Sequence, residues 1–406
     1  MKSCVKGLSV KYDVLLKLLS NSLFETDYKF ADDIDWENVF KESLNQAVVS
    51  IAFDGLNDTK IPKEVKEKWF MYSVKNLQNN YAIHNQHKCL HKLMADNNIS
   101  YCVLKGSASA FYYPNQTLRS MGDVDFFVPH KDFKRALDVF LKNGFVTRGE
   151  REDVHTVLRK KDMHFEMHFE PPGIPKTKAR ETIEKYFTTL TESGSVEKIG
   201  DNEFYNPDKL NHGLILLLHT CHHLLREGIG LRHLCDWAVF VNSFEKNEFA
   251  LMFKEKLKEI GMWEFACILT VASVKYLNMP MPQGVETSFD KFEEFMLDIL
   301  DGGNFGGKEK NRYFESLYIA TNGEVGNNGK IKQFIKAINE IIFKKFRWLE
   351  KCKVLLPFFW LFYGGRYLFR MILGKRKAIV SKDIASSADE RINIYKDFHT
   401  FEIKKN

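Results

Sequence analysis

Residues 103–128 read VLKGSASAFYYPNQTLRSMGDVDFFV: an apolar run closed by a Gly-Ser pair, a polar interval, then a second apolar run carrying an Asp-x-Asp. On an extended strand, alternate side chains project to opposite faces. Asp123 and Asp125 therefore share one face, and Val124 and Phe126 take the other. Two carboxylates held about 4 Å apart repel by roughly 4 kcal/mol at an effective dielectric near 20. A cation between them removes that cost, so the pair reads as a magnesium site.

Working outward, residues 162–171, DMHFEMHFEP, alternate strictly. Met163, Phe165, Met167 and Phe169 fall on one face, and His164, Glu166, His168 and Glu170 on the other, which predicts a half-buried strand with a polar, reactive face. If this strand lies beside the Asp-x-Asp strand, Glu166 completes a cluster of three carboxylates able to hold one or two hard cations. Glu170 is the poorer donor, because Pro171 and Pro172 end the strand there. In the Gly-Ser segment, Gly106 permits close backbone approach after the strand YCVLK. The following SASAFYY starts a helix whose free N–H groups favour a phosphate. Ser107 adds a hydroxyl, while Lys105 and Arg119 flank the loop with the charge to neutralise the rest of a triphosphate.

The remainder of the 406-residue chain frames this core. The length favours two or three domains. The pattern suggests a helical region over 1–98, a mixed α/β core over 99–205, a helical domain over 206–300, and glycine-rich loops with further helix over 301–406. LDGGNFGGKEKNRYF and TNGEVGNNGK read as mobile loops around a short helix. A net charge of +6, from 59 basic and 53 acidic residues, is too small an excess to argue for nucleic acid by itself. Seven scattered cysteines without a Cys-x-x-Cys pair fit a reducing cytoplasm. The N-terminal 20 residues lack the continuous apolar core of a signal peptide. The uninterrupted apolar run 354–363 contains Pro357 and is far short of the roughly 20 residues that span a bilayer. Residues 354–377, with Arg366, Arg370, Lys375, Arg376 and Lys377, can be read as a helix on a membrane surface, but packing on the rest of the protein is the simpler reading.

Two helical segments carry further polar groups. LILLLHTCHHLLREG places His219, His222 and His223 near one face, and GLRHLCDW contributes Arg232 and Asp236. One reading has His222 or His223, with Arg232 and Asp236, closing over the nucleotide or acceptor. The other pairs Asp236 with Arg232 at i+4 and leaves His219 in the helical core. Zinc is disfavoured, since no His-Glu-x-x-His is present. The abundant aromatic residues sit mostly at helical spacing, as core packing requires.

The order LKGSASAFYY, LRSMGDVDFFV, MHFEMHFEP resembles the nucleotidyltransferase core of the DNA polymerase β superfamily, and more narrowly the bacterial uncharacterised nucleotidyltransferase family. In that family a Lys-Gly leads the helix, an Arg precedes the Asp-x-Asp and an acid-x-His closes the core, as Lys105-Gly106, Arg119 and Glu166-x-His168 do here. The segments HTCHHLLREGIGLRHLCDW and DGGNFG are similar to later family segments. The third acid is Glu166 where Asp is common. The resemblance implies an α+β fold: a mixed sheet of polymerase β type embedded in helical regions. It implies transfer of a nucleoside monophosphate from a nucleoside triphosphate, with Mg2+ or Mn2+ on Asp123, Asp125 and Glu166. Lys105, Gly106, Ser107, Arg119, His168, His222 and Arg232 would bind the nucleotide, ATP among the candidates. The acceptor is expected to be a small molecule or glycan precursor. The alternatives are a toxin-like enzyme acting on tRNA or protein, and a silent nucleotide-binding scaffold.

Overall fold

The computed structural model describes residues 8–147, 155–308, 353–362 and 381–403, together with isolated positions between 312 and 349. Residues 321–330, and the basic positions Arg366, Arg370, Lys375, Arg376 and Lys377, lie outside the described residues.

The chain opens with helices α1 (Val10–Phe24), α2 (Trp36–Asn45), α3 (Val49–Asp54) and α4 (Lys63–Asp96). Asp35 caps α2 by accepting from the Asn38 N–H at 3.1 Å, which satisfies one of the donors a helix start leaves unpaired. At 34 residues α4 is long enough to serve two cores. Its first half inserts Trp69 among the helices, and its second half lays Ile83, Leu90 and Met94 on the sheet.

The sheet has the order β1-β2-β5-β4-β3, formed by Cys102–Val103, Val124–Phe127, Met163–His168, His155–Lys160 and Val146–Thr147 respectively. Only β2 and β5 are parallel; β1, β4 and β3 join antiparallel. The mixed α+β architecture is thus present. Val124, Phe126, Phe165 and Met167 form an apolar face, which α4 and α6 (His130–Lys142) cover with Met94, Phe133 and Phe140. Helix α6 ends where Gly144 takes φ 77°. There Phe145 N reaches Phe140 O and Gly144 N reaches Leu141 O, a left-handed cap that satisfies the last carbonyls. Between β1 and β2 lies the single-turn α5 (Ser107–Ala110). After β5 come α7 (Arg180–Tyr186) and the hairpin β6–β7 (Ser195–Ile199, Asn202–Asn206).

Helices α8 (Lys209–Leu225), α9 (Leu231–Asn242), α10 (Glu248–Glu259), α11 (Trp263–Leu277) and α12 (Phe292–Gly302) follow. They share one apolar cluster with α1–α3, closed by Phe398 after the helix Ser381–Tyr395. Each fully buried phenylalanine in it, such as Phe240 or Phe253, contributes about 1.5–3 kcal/mol of transfer free energy. Gly213 lets α8 approach closely: a Cβ there would stand 2.4 Å from the Phe253 ring.

The described part of the glycine-rich stretch differs from the mobile loop its composition suggests. Gly306 brings the backbone so near the α8–α9 turn that a Cβ would lie 2.2 Å from Glu227 O. Lys308 Nζ is bonded to Glu42 Oε1 at 2.9 Å and Leu300 O at 2.7 Å. Here glycine serves close approach. Among the described residues, no helix is long and apolar enough to cross a membrane, and Cys89, Cys102, Cys221, Cys235 and Cys267 are free thiols.

Candidate active site

The register of the parallel pair sets the geometry. Asp125 stands opposite Glu166, and Phe127 opposite His168, across β2 and β5. The apolar face turned toward α4 and α6 leaves Asp125, Glu166 and His168 together on the other face. One ligand atom from each lies within 4.8 Å of the others. His168 Nε2 is 3.1 Å from Asp125 Oδ1 and 3.8 Å from Glu166 Oε2. His155, the β4 partner of His168, stacks on it at 4.9 Å and approaches Glu166 to 3.9 Å. Nothing in the sequence pattern singled out His155, whose strand follows residues 148–154.

Asp123 stands one residue before β2. Burial, and then the nearby Asp125 and Glu166 carboxylates, push its carboxyl up to about 6. Burial would also raise Asp125, but the Lys105 ammonium and His168 outweigh it and hold the group below the usual carboxylate range. His168, 3.8 Å away, likewise lowers Glu166 against the effect of burial. For His168, burial disfavours the imidazolium, but the hydrogen bond to Asp125 and the nearby Glu166 carboxylate raise it overall. Two carboxylates are thus held ionised while a third is crowded toward protonation. A divalent cation would relieve that crowding, and the carboxylate oxygens of Asp123, Asp125 and Glu166, with His168 bonded to Asp125, fit a hard ion such as magnesium or manganese.

The segment before Asp123 is pinned by α4. Asn79 Nδ2 donates to Met121 O at 2.7 Å, and Asn80 Nδ2 to Thr117 O at 2.7 Å and Arg119 O at 2.8 Å. These amides sit in KNLQNNY, which reads simply as helix, so their role was not visible in the sequence. Gly106 takes φ 63° and ψ −108°, a conformation open to glycine. Ser107 is buried beneath it with its hydroxyl 3.4 Å from His84 Nδ1 and 3.5 Å from Met121 Sδ, turned inward rather than toward the carboxylates.

Lys105 Nζ lies 3.0 Å from Asp125 Oδ2 and 3.3 Å from His219 Nε2. His219 in turn faces His223 Nε2 at 2.9 Å. The α8 histidine that meets Lys105 is therefore His219, half-buried and held well below its ordinary pKa by desolvation and then Lys105. His222 packs beside His223 at 5.5 Å between ring centroids, and burial lowers it to about 4.

Arg119 is engaged elsewhere. Its Nε and Nη2 each donate to Asp236 at 2.7 Å, in a buried fork that Tyr113 Oη joins at 2.7 Å. The i+4 pairing of Asp236 with Arg232 is thus replaced by a longer-range one, because the planar guanidinium of Arg119 meets both carboxylate oxygens. Arg232 Nη1 reaches Ser120 O at 3.5 Å, and its guanidinium lies 5.3 Å from the centre of the Phe305 ring. Glu170, set aside as a ligand, pairs with Arg180.

A family model described as an uncharacterised nucleotidyltransferase matches residues 32–278, more than half of the chain, and includes every side chain of the carboxylate cluster. No curated protein matches.

Proposed function

That the chain belongs to the uncharacterised nucleotidyltransferase family is the premise from which we propose that it transfers a nucleoside monophosphate from a nucleoside triphosphate to an acceptor hydroxyl or phosphate. The observation that carries this reading is the Asp125–Glu166 register, with Asp123 beside it and Lys105 against it. The strand order, with the Asp-x-Asp strand next to the strand of the third acid, supports a polymerase β-like core. In this proposal residues 99–205 carry the chemistry and 206–300 close over it.

Asp123, Asp125 and Glu166 would hold Mg2+ or Mn2+, which supplies charge neutralisation at the phosphates and lowers the pKa of a bound acceptor hydroxyl. His168 orients Asp125 through its 3.1 Å contact and keeps that oxygen aimed. Lys105 places its ammonium beside the same carboxylate, where it meets phosphate charge. Gly106 supplies the close backbone approach. Arg119 acts from behind: its fork to Asp236 ties α9 to the segment leading into Asp123. Arg232 and the α8 histidines form the opposing wall. That wall stands close to the carboxylates, and the chain's charge is nearly balanced, which favours a small-molecule or glycan-precursor acceptor over RNA.

The test is incubation of the purified protein with Mg2+ or Mn2+, each labelled nucleoside triphosphate and candidate acceptors. Release of pyrophosphate, lost in Asp125→Asn, is expected. If no triphosphate binds or turns over and Asp125→Asn changes nothing, the reading fails.

A further inference from the structure

Phe305 is one of two described phenylalanines, with Phe401, whose backbone is left-handed. It takes φ 54° and ψ 38°, a left-handed conformation that is uncommon and costly for a bulky side chain and persists where the surroundings impose it. Here they do. Gly303 and Gly306 on either side have φ 68° and 63°, and a Cβ on Gly230 would stand 2.8 Å from Asn304 Cα. Arg312 Nη2 grips Asp298 Oδ2 at 2.8 Å just beyond. The loop is clamped so that one ring is delivered to one place.

That place is the wall opposite the carboxylates. The ring centre lies 4.8 Å from His223, 5.1 Å from His233 and 5.3 Å from the Arg232 guanidinium carbon. Despite these three neighbours the residue remains 38% exposed, whereas the core phenylalanine Phe295 on the preceding helix is fully buried. From the ring, two routes lead to the reactive groups. His223 connects through His219 and Lys105 to Asp125, at 2.9, 3.3 and 3.0 Å in turn. Arg232 reaches Ser120 O, three residues before Asp123. Strain, exposure and placement together are unnecessary for packing alone.

We propose that Phe305 is the platform on which the nucleobase of the incoming triphosphate stacks, with Arg232 alongside it and His223 and His233 lining the edge. The inference rests on the nucleotidyl-transfer reading above and adds to it the residue that holds the base. A phenyl ring offers a flat π-face to any base, and a guanidinium beside it adds cation–π attraction. Burial, and then Arg232, hold His233 well below its ordinary pKa, so a neutral imidazole is available to the polar edge of a base. Because stacking is tolerant of base identity, Phe305 itself should discriminate little among the four triphosphates.

The test compares calorimetric binding of each nucleoside triphosphate with that of inorganic tripolyphosphate, which has no base, to the full chain in Mg2+. Phe305→Gly removes the ring and suits the left-handed backbone, so its thermal unfolding should stay close to that of the parent chain. It is expected to weaken nucleoside triphosphate binding by about tenfold or more and to leave tripolyphosphate unchanged, while Phe305→Trp restores the difference. Equal loss for both ligands, or no loss for either, overturns the proposal while tripolyphosphate binding preserves the nucleotidyl-transfer reading. If the parent chain binds neither ligand, both fall together.

Discussion

Lys105 and Asp125 form an ion pair, 3.0 Å from Nζ to Oδ2, at the centre of the carboxylate cluster. The ammonium stands at one of the two oxygens a cation would use, so metal loading has to displace it. Lys105→Met should therefore raise the Mn2+ affinity of the nucleotide-free protein several-fold, read from the free Mn2+ signal by electron paramagnetic resonance. Turnover should fall in the same variant, because the ammonium no longer meets phosphate charge. Unchanged or weaker Mn2+ binding would refute the displacement.

Asp123 gives a pH dependence of definite sign. Its carboxyl is pushed up to about 6 from 3.8 by burial first and the two neighbouring acids second. Between those values the folded chain keeps a proton that the unfolded chain has lost. Its stabilising effect is thus complete below about pH 4 and is lost as pH rises through 6. Asp123→Asn should raise stability at pH 7.5 by on the order of 1–3 kcal/mol and change it little at pH 4. Thermal unfolding at the two pH values decides the matter. Protection by Mg2+ should also weaken as pH drops below about 6, since the cation competes with that proton.

The Arg119–Asp236 fork is buried on both sides, with side-chain exposures of 7% and 6%. Removing one partner leaves an uncompensated charge, so Asp236→Ala should cost about 3–5 kcal/mol in denaturant unfolding. Replacing both residues together, Arg119→Met with Asp236→Leu, should recover much of that loss. A single variant as stable as the parent would show that the pair does not anchor α9.

Glu166 is only half-buried and its backbone lies within a regular ladder. Glu166→Gln should keep the fold, judged by circular dichroism, and lower nucleotidyl transfer by about a hundredfold or more. Glu166→Asp should retain more activity than Glu166→Gln, because it keeps the charge and loses only reach. Full activity in Glu166→Gln would remove this residue from the metal set.

The parts of the fold legible in the sequence are those written as local periodicity. Alternation from Met163 to Glu170 identified the polar face of β5, and the Asp-x-Asp marked β2. That these strands are neighbours, and parallel, depends on a crossover that no local pattern encodes. Long-range pairings were hidden for the same reason. Arg119 and Asp236 are 117 positions apart, so the i+4 neighbour Arg232 was the visible candidate. His219 looked like core because it sits mid-helix among leucines, and only its 3.3 Å approach to Lys105 shows which side of α8 faces the sheet. Ser107 belonged to a recognisable Gly-Ser pair, but the single turn it begins rotates the hydroxyl toward His84 and Met121.

The parallel ladder that pairs Asp125 with Glu166 also pairs Val124 with Phe165, and this makes the apolar layer a proofreader for the chemistry. A slip of one residue would turn Phe165 out to the solvent side and drive Glu166 under α4 and α6, at a cost no domain of ordinary stability can absorb. A slipped register is thus unfavourable at equilibrium. Substitutions that loosen Phe126, Phe165 or Met167 should accordingly harm the reactive face at a distance, by blurring the alignment that the oily side enforces.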